Sequence, residues 1–305
     1  MKEKKFFFGK ETTVKKTRII LLSALALALL VPAGVWAQSS VWEVRGPKTT
    51  VYLAGSCHVL READHPLPVE FDIAYSRARR IVFEAPPGDL DGPAYLQKLL
   101  AVAVYPDGTT LKQHLSPAVY AKAEKFCQAR GYPFDQYQLL RPWMFSMVLV
   151  LQELKRIGVS AEYGVDRYFY AKAVTDSKAI SGLETADEQI GFLNLLDGDM
   201  GNDQVSETID DLVRLEGRVG DILSAWRKGD EAGIESFNLR ELKNYPRLYE
   251  ALIVNRNRKW AAKIETLLAG PESAMVIVGV GHLAGAESVA NLLRRRGFPV
   301  VRLQK

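Results

Sequence analysis

The stretch YLAGSCH at residues 52–58 is an apolar run that stops at a glycine and delivers a histidine three residues later. VIVGVGH at residues 276–282 repeats the arrangement near the other end of the chain. Only four histidines occur in 305 residues, and two of them, His58 and His282, occupy this G-x-x-H junction. Two more apolar runs, IVFE and AISGLE, close on Glu84 and Glu184. Ligands of α/β sheets bind beyond the carboxyl ends of the strands. If these four strands are parallel neighbours, His58, Glu84, Glu184 and His282 meet at one patch.

The rest of the body fits that scheme. SVWEVRG and TTVYLAG read as two strands with a hairpin around Gly46 and Pro47, and PVVRL reads as a last strand. A helix is expected from Pro68 to about Arg79, and PPGDLDGP after Glu84 reads as loop. A helical middle follows. Residues 117–130 have Ser116 as N-cap, Pro117 at the first helical position and Gly131 as the stop. Residues 141–158 form an apolar helix that has to be buried on most sides, with Trp143 as a packing residue at its start. GVDRYFYAKAVTD reads as a helix opened by Asp166 or the glycine before it, with Asp166 a helix cap rather than a catalytic acid, and Thr185 caps the helix after Glu184. Helical patterns cover residues 203–228 and 246–268, and a final helix is expected from about Leu283 to Arg296. The predicted fold class is α/β: a mixed, largely parallel sheet flanked by helices, with a helical insertion in the middle.

Residues 1–37 stand apart. Basic residues come first, an apolar run from Ile19 to Val31 follows, and Val35 and Ala37 fit a cleavage site after Ala37. This is the layout of a secretory signal peptide, with an uncleaved anchor as the alternative. The expected division is a leader over 1–37 and one α/β domain over 38–305. Export places the mature protein in the periplasm or outside the cell, with membrane contact only through the leader. The leader holds a net charge of +5 against +4 for the whole chain, so the body is near neutral and nothing in it asks for nucleic acid. Apolar residues at 48% and charged residues at 25% are the balance of a globular domain. Cys57 and Cys127 are the two cysteines; whether they pair is left open. Cys127 reads as a buried thiol, and Cys57 as a small residue in a turn or, more sharply, a catalytic thiol.

Two neutral imidazoles and a carboxylate suit a divalent metal, whether zinc, manganese, cobalt or iron. Such an ion lowers the pKa of its water, and a second carboxylate can take the proton. His58, Glu84 and His282 are the candidate ligands. Glu184 is the candidate base or a further ligand, although a glutamate there also favours the N-terminus of its helix. Arg256, with Asn257 beside it, can hold a substrate carboxylate or a developing oxyanion. His65 and His114 read as ordinary surface residues. Gly55, Gly279 and Gly281 are expected where the backbone bends or approaches a bound group.

LAGSCHVL, IVFEA, YGVDRYFYAKA, ISGLETADEQIGFL, NRNRKWAAKI and the closing VIVGVGHLAGAESVANLLRRRGFPV together resemble the TraB/GumN family, in order and over nearly the whole body. The first motif reads G-S-C-H, with cysteine at a position expected to be variable. That family is related to the TIKI proteins, viewed as metal-dependent proteases, and more distantly resembles erythromycin-esterase and ChaN-like proteins. The resemblance implies an α/β fold with both G-x-x-H motifs at one site, His58, Glu84 and His282 at its core, and Glu184, Arg256 and Asn257 in support. The expected function is an exported metal-dependent hydrolase acting on a peptide or small-molecule substrate. The alternatives are a metal-independent esterase and a non-catalytic binder of haem, iron or another small ligand. Oligomeric state is open.

Overall fold

The hydrogen-bonding order of the strands settles the question posed by the two histidines. The computed structural model describes residues 39–197 and 201–305, and the expected leader lies outside them. Strands β1 (Val41–Arg45), β2 (Thr50–Ser56), β3 (Arg80–Phe83), β4 (Ala179–Gly182), β5 (Ala274–Gly279) and β6 (Val300–Arg302) form one sheet. Its order is β4-β3-β5-β2-β1-β6. The four neighbours β4, β3, β5 and β2 are mutually parallel. β1 runs antiparallel to β2, as the expected hairpin requires, and β6 adds antiparallel to β1.

The central strands are apolar without alternation because both faces are covered. Every residue of β5, AMVIVG, is buried. On one face Tyr52, Ile81, Phe83, Met275 and Ile277 pack with Phe71, Phe169 and Trp226. Those three come from α1 (Val69–Arg77), α5 (Val165–Thr175) and α7 (Gly201–Lys228). On the other face Leu53, Val82, Val276 and Val278 pack with Trp260, Ile264, Val289 and Leu293. These belong to α9 (Asn255–Ala269) and α10 (Val289–Arg295). The result is the helix–sheet–helix layering of α/β folds.

The helical middle has its own core. α2 (Pro93–Ala103), α3 (Pro117–Arg130) and α4 (Pro142–Arg156) precede α5, and α6 (Ala186–Leu193) follows β4. Phe126, Phe145 and Leu149 pack against Val205, Ile209 and Leu212 on α7. Ser116 Oγ accepts the Val119 N–H, and Gly131 stops α3 at φ +70°. α8 (Glu231–Asn238) follows α7.

Three boundaries differ from expectation. The proline-rich loop after Glu84 contains a helical turn, Pro87–Leu90, because Pro87 supplies a helical φ at its start. The final helix begins at Val289, not near Leu283. Val280–Leu283 makes a single 3-10 turn, Gly285 adopts φ +79°, and Ser288 then caps α10 by accepting the Asn291 N–H. Helical residues 246–268 are also interrupted, by a π-helical segment over Glu250–Val254. Cys127 is buried, as its helical context implied, and both cysteines are free thiols. Among the described residues no helix is long and apolar enough to cross a membrane.

Leu53 is fully buried in the centre of the sheet. Leu53→Ala should cost about 2–5 kcal/mol of unfolding free energy, read as a lower denaturant midpoint at an unchanged slope.

Candidate active site at the carboxyl edge of the sheet

Strand register places the four expected side chains together. Ser56 pairs with Gly279, and Phe83 pairs with Ile277 and Gly182, so the parallel strands end nearly level. His58 lies two residues beyond β2, Glu84 one beyond β3, Glu184 two beyond β4 and His282 three beyond β5. The main chain keeps pairing past the strands, with the Leu183 and Glu184 N–H groups donating to Phe83 and Glu84 carbonyls at 2.8 Å.

Glu84 is the hub. Its Oε1 accepts the Gly279 N–H at 2.7 Å, and its Oε2 accepts from Arg256 Nη2 at 2.7 Å. Burial would raise its carboxyl, but the Arg256 guanidinium, the neighbouring imidazoles and the Gly279 N–H outweigh burial and lower it. Gly279 has to be glycine for proximity. A Cβ there would stand 2.8 Å from His58 Nε2 and 3.2 Å from Glu84 Oε1. None of Gly55, Gly279 and Gly281 has a positive φ, so close approach, not an unusual backbone conformation, explains the first two.

Arg256 joins the carboxylates. Nη2 reaches both Glu84 Oε2 and Glu184 Oε1 (2.6 Å), Nε reaches Glu184 Oε2 (3.1 Å), and Nη1 stands 3.3 Å from His282 Nε2. Its guanidinium lies over Trp260 at 4.6 Å and Phe192 at 5.1 Å. Gln189 donates to Glu184 Oε1 at 3.1 Å. Both oxygens of Glu184 are thus engaged by Arg256. The π-helical segment ends immediately before Asn255, and the extra residue in its turn re-aims the start of α9 so that Arg256 and Asn257 both serve the site.

The two histidines are not equivalent. His282 is buried beside Trp260, and its Nδ1 is 2.7 Å from Asn257 Oδ1. The fully buried Asn257 is itself fixed by donating to the Glu287 carbonyl at 2.8 Å. Asn257 therefore touches the site through His282. Burial pushes the His282 imidazole down to about 4, so the ring is neutral at pH 7 with Nδ1–H given to Asn257 and the Nε2 lone pair turned inward. His58 is open to solvent, with 59% of its side chain exposed. Its Nδ1 lies 2.8 Å from Asp166 Oδ2, which also accepts from Ser56 Oγ. The Asp166 carboxylate is the main reason that His58 is pushed up to about 9.

Of the two residues that could open α5, the glycine, Gly164, is the N-cap; Asp166 sits in the first turn with its carboxylate turned to His58 instead of capping the helix. Ser56 and Gln189 also escaped the sequence reading. Ser56, two residues before His58 on the strand, was the available signal. Cys57 is not a nucleophile in this setting: its thiol donates to the Val59 carbonyl, and burial pushes it up to about 12. His65 and His114 have partners of their own, the Tyr163 carbonyl and Thr109 Oγ1.

The chemistry of the donor set fits a divalent ion. Each imidazole has Nδ1 fixed by an oxygen partner, Asp166 or Asn257, which is the usual support of a metal-ligating histidine. His282 Nε2 and Glu84 Oε1 are 3.9 Å apart, somewhat wider than the roughly 3–3.5 Å between two ligands of one zinc-sized ion. Among the described residues no group of three or more His, Cys, Asp and Glu side chains is arranged to hold a metal ion. Arg256 Nη1 faces the His282 lone pair, so an incoming cation has to displace that contact.

Fold and site together define an α/β protein whose parallel strands deliver two histidines and two glutamates to one edge of the sheet. The chain belongs to the TraB/PrgY/gumN family, whose model matches residues 40–302. It is 24% identical over 244 residues to the uncharacterized protein YbaP of Escherichia coli, covering 80% of this chain and 87% of that one. It is 24% identical over 308 residues to a metalloprotease TIKI homolog of Nematostella vectensis, covering 82% of this chain and 64% of that protein. An uncharacterized protein of Treponema pallidum is 20% identical over 272 residues, 84% of this chain and 80% of its own. No solved structure matches.

A buried neutral His282 makes stability depend on acid. Above its ordinary 6.5 the ring is neutral whether folded or not. Below that, the unfolded chain takes up a proton that the folded chain refuses until about pH 4, so this contribution is lost as pH falls between those values. With a chelator present, the stability difference between the wild type and His282→Gln should shrink by roughly 3 kcal/mol from pH 7 to pH 4, measured by chemical denaturation. A difference that holds constant with pH would contradict the neutral ring.

Proposed function

We propose that this chain is a metal-dependent hydrolase acting on peptide bonds outside the cytoplasm. The observation that carries the reading is the convergence of His58, Glu84 and His282 around Gly279, each imidazole held through Nδ1 by an oxygen acceptor. These three side chains would hold the ion. The likeness to a metalloprotease TIKI homolog points to the same class of reaction. The basic, then apolar, layout of residues 1–37 supports export.

A bound divalent cation supplies a polarised carbonyl and an acidified water. The chain's own residues do the rest. Asp166 and Asn257 orient the two rings. Arg256 holds Glu84 and Glu184 together and turns Nη1 to His282. Hydrolysis places a hydroxyl on the acyl carbon, breaks the C–N bond and moves one proton to the leaving amine. Glu184, bound to Arg256 and Gln189, is the proposed carrier of that proton.

A metal-independent reading has one observation in its favour: the 2.8 Å contact of Asp166 with His58 Nδ1 resembles the pairing of a general base with its orienting carboxylate. Both roles require His58 to give up the proton that Asp166 favours, so the response to chelators separates the two readings.

Purified protein should contain a divalent metal, and His58→Ala and His282→Ala should lose it by elemental analysis, together with at least about 10²-fold of peptidase rate. Asn257→Ala should keep the ligands yet weaken metal binding roughly 10–100-fold in calorimetric titration. Activity that survives chelators but still needs His58 would favour the metal-independent esterase. Mass spectrometry of the exported protein should find a new N-terminus at Gln38.

A further inference from the structure

We infer that the apolar shelf beside His58 and Glu84 selects the substrate, accepting a peptide residue with an aliphatic side chain next to the scissile bond. This rests on the hydrolase reading above.

Only one side of the pocket is polar. A cavity of about 270 Å³ opens on His58 and Glu84, with Asp166 and Gln189 nearby. Its other wall is Ala85, Pro87 and Leu90 from the loop after β3, faced by Ala161 from the segment before α5. His282, Arg256 and Glu184 do not line it, so an incoming chain meets His58 and Glu84 first.

The shelf is fixed against the helix that orients His58. Gly88 lies so close to Tyr170 of α5 that a Cβ would stand 2.0 Å from its hydroxyl. Arg167, the residue after Asp166, forms a two-bonded ion pair with Asp91 at the far end of the same turn.

Charge decides against the other side chains. An acidic group would approach Glu84 and Asp166, and both basic side chains in the lining are already paired, Arg167 with Asp91 and His58 with Asp166. A basic group gains little, because Glu84 is neutralised by Arg256 and Asp166 by His58. It would also lose hydration against Leu90 and Pro87. An aliphatic group loses no hydration energy there and gains by leaving water.

The test separates this inference from the hydrolase reading. NMR titration of the wild type with N-acetyl-leucine amide, N-acetyl-aspartate amide and N-acetyl-lysine amide measures the preference without turnover. Leucine should bind roughly 10- to 100-fold more tightly than either charged residue. Leu90→Asp should erase the preference while leaving the melting transition in place, and Leu90→Ser serves if that variant misfolds. In parallel, metal-loaded protein is given a random peptide mixture and the cut sites are read by mass spectrometry. Cuts beside aliphatic residues support both ideas. Leucine-selective binding without any cleavage keeps the shelf and sinks the hydrolase. Cleavage with no side-chain preference, or equal binding of all three amides, overturns the shelf, as does a preference for lysine.

Discussion

Arg256 is the cation on which the pocket depends. Two carboxylates brought together out of water repel one another and lose hydration. Arg256 touches both Glu84 and Glu184, with only 12% of its own side chain exposed, and its flat guanidinium lies over Trp260 and Phe192. A planar donor fork serves two acids at once in a way that a lysine ammonium does not. Buried pairs of this kind contribute little net stability but are costly to break. The arrangement therefore reads as a device for keeping Glu84 ionised in a dry place, with a positive charge kept against the His282 lone pair.

The sheet makes that pocket. Parallel strands put all of their carboxyl ends on one edge, and β5 lies between β3 and β2 although it comes from the far end of the sequence. Pairing a strand at residue 274 with strands at 50 and 80 is a long-range closure, and the apolar faces buried on both sides of β5 compensate for its entropy. Gly279 then lets His58 and Glu84 close over the end of β5, because no side chain holds them apart.

The repeated G-x-x-H junction conceals a division of labour. One copy places His282 among apolar rings with a neutral amide partner, and that ring stays uncharged. The other places His58 at the pocket mouth against a carboxylate, and that ring is basic. Identical motifs therefore deliver histidines of opposite protonation, since a histidine's charge is set by its neighbours and not by its own residue type.

Much was legible in the residues. Continuous apolar runs marked the central strands, and the ionisable residue closing each run marked the site. Ser116 and Gly131 bounded a helix by local chemistry alone, and the TraB/GumN resemblance was carried by motifs that survive as linear text. What stayed hidden depended on distance in space. Asp166 looked like a helix cap because its role is set by a side chain 108 positions away. Asn257 is named in support of the site by the resemblance, but that it acts by holding His282 shows only once α9 packs against that ring. The first residue of the last helix was misplaced because Ser288, three residues past a left-handed Gly285, takes the cap. The sequence by itself determined which residue types stand at the strand ends, because period and composition are local. Tertiary structure alone decided which of them meet, which are charged and which merely hold the others, because burial and electrostatics are properties of the whole packed chain.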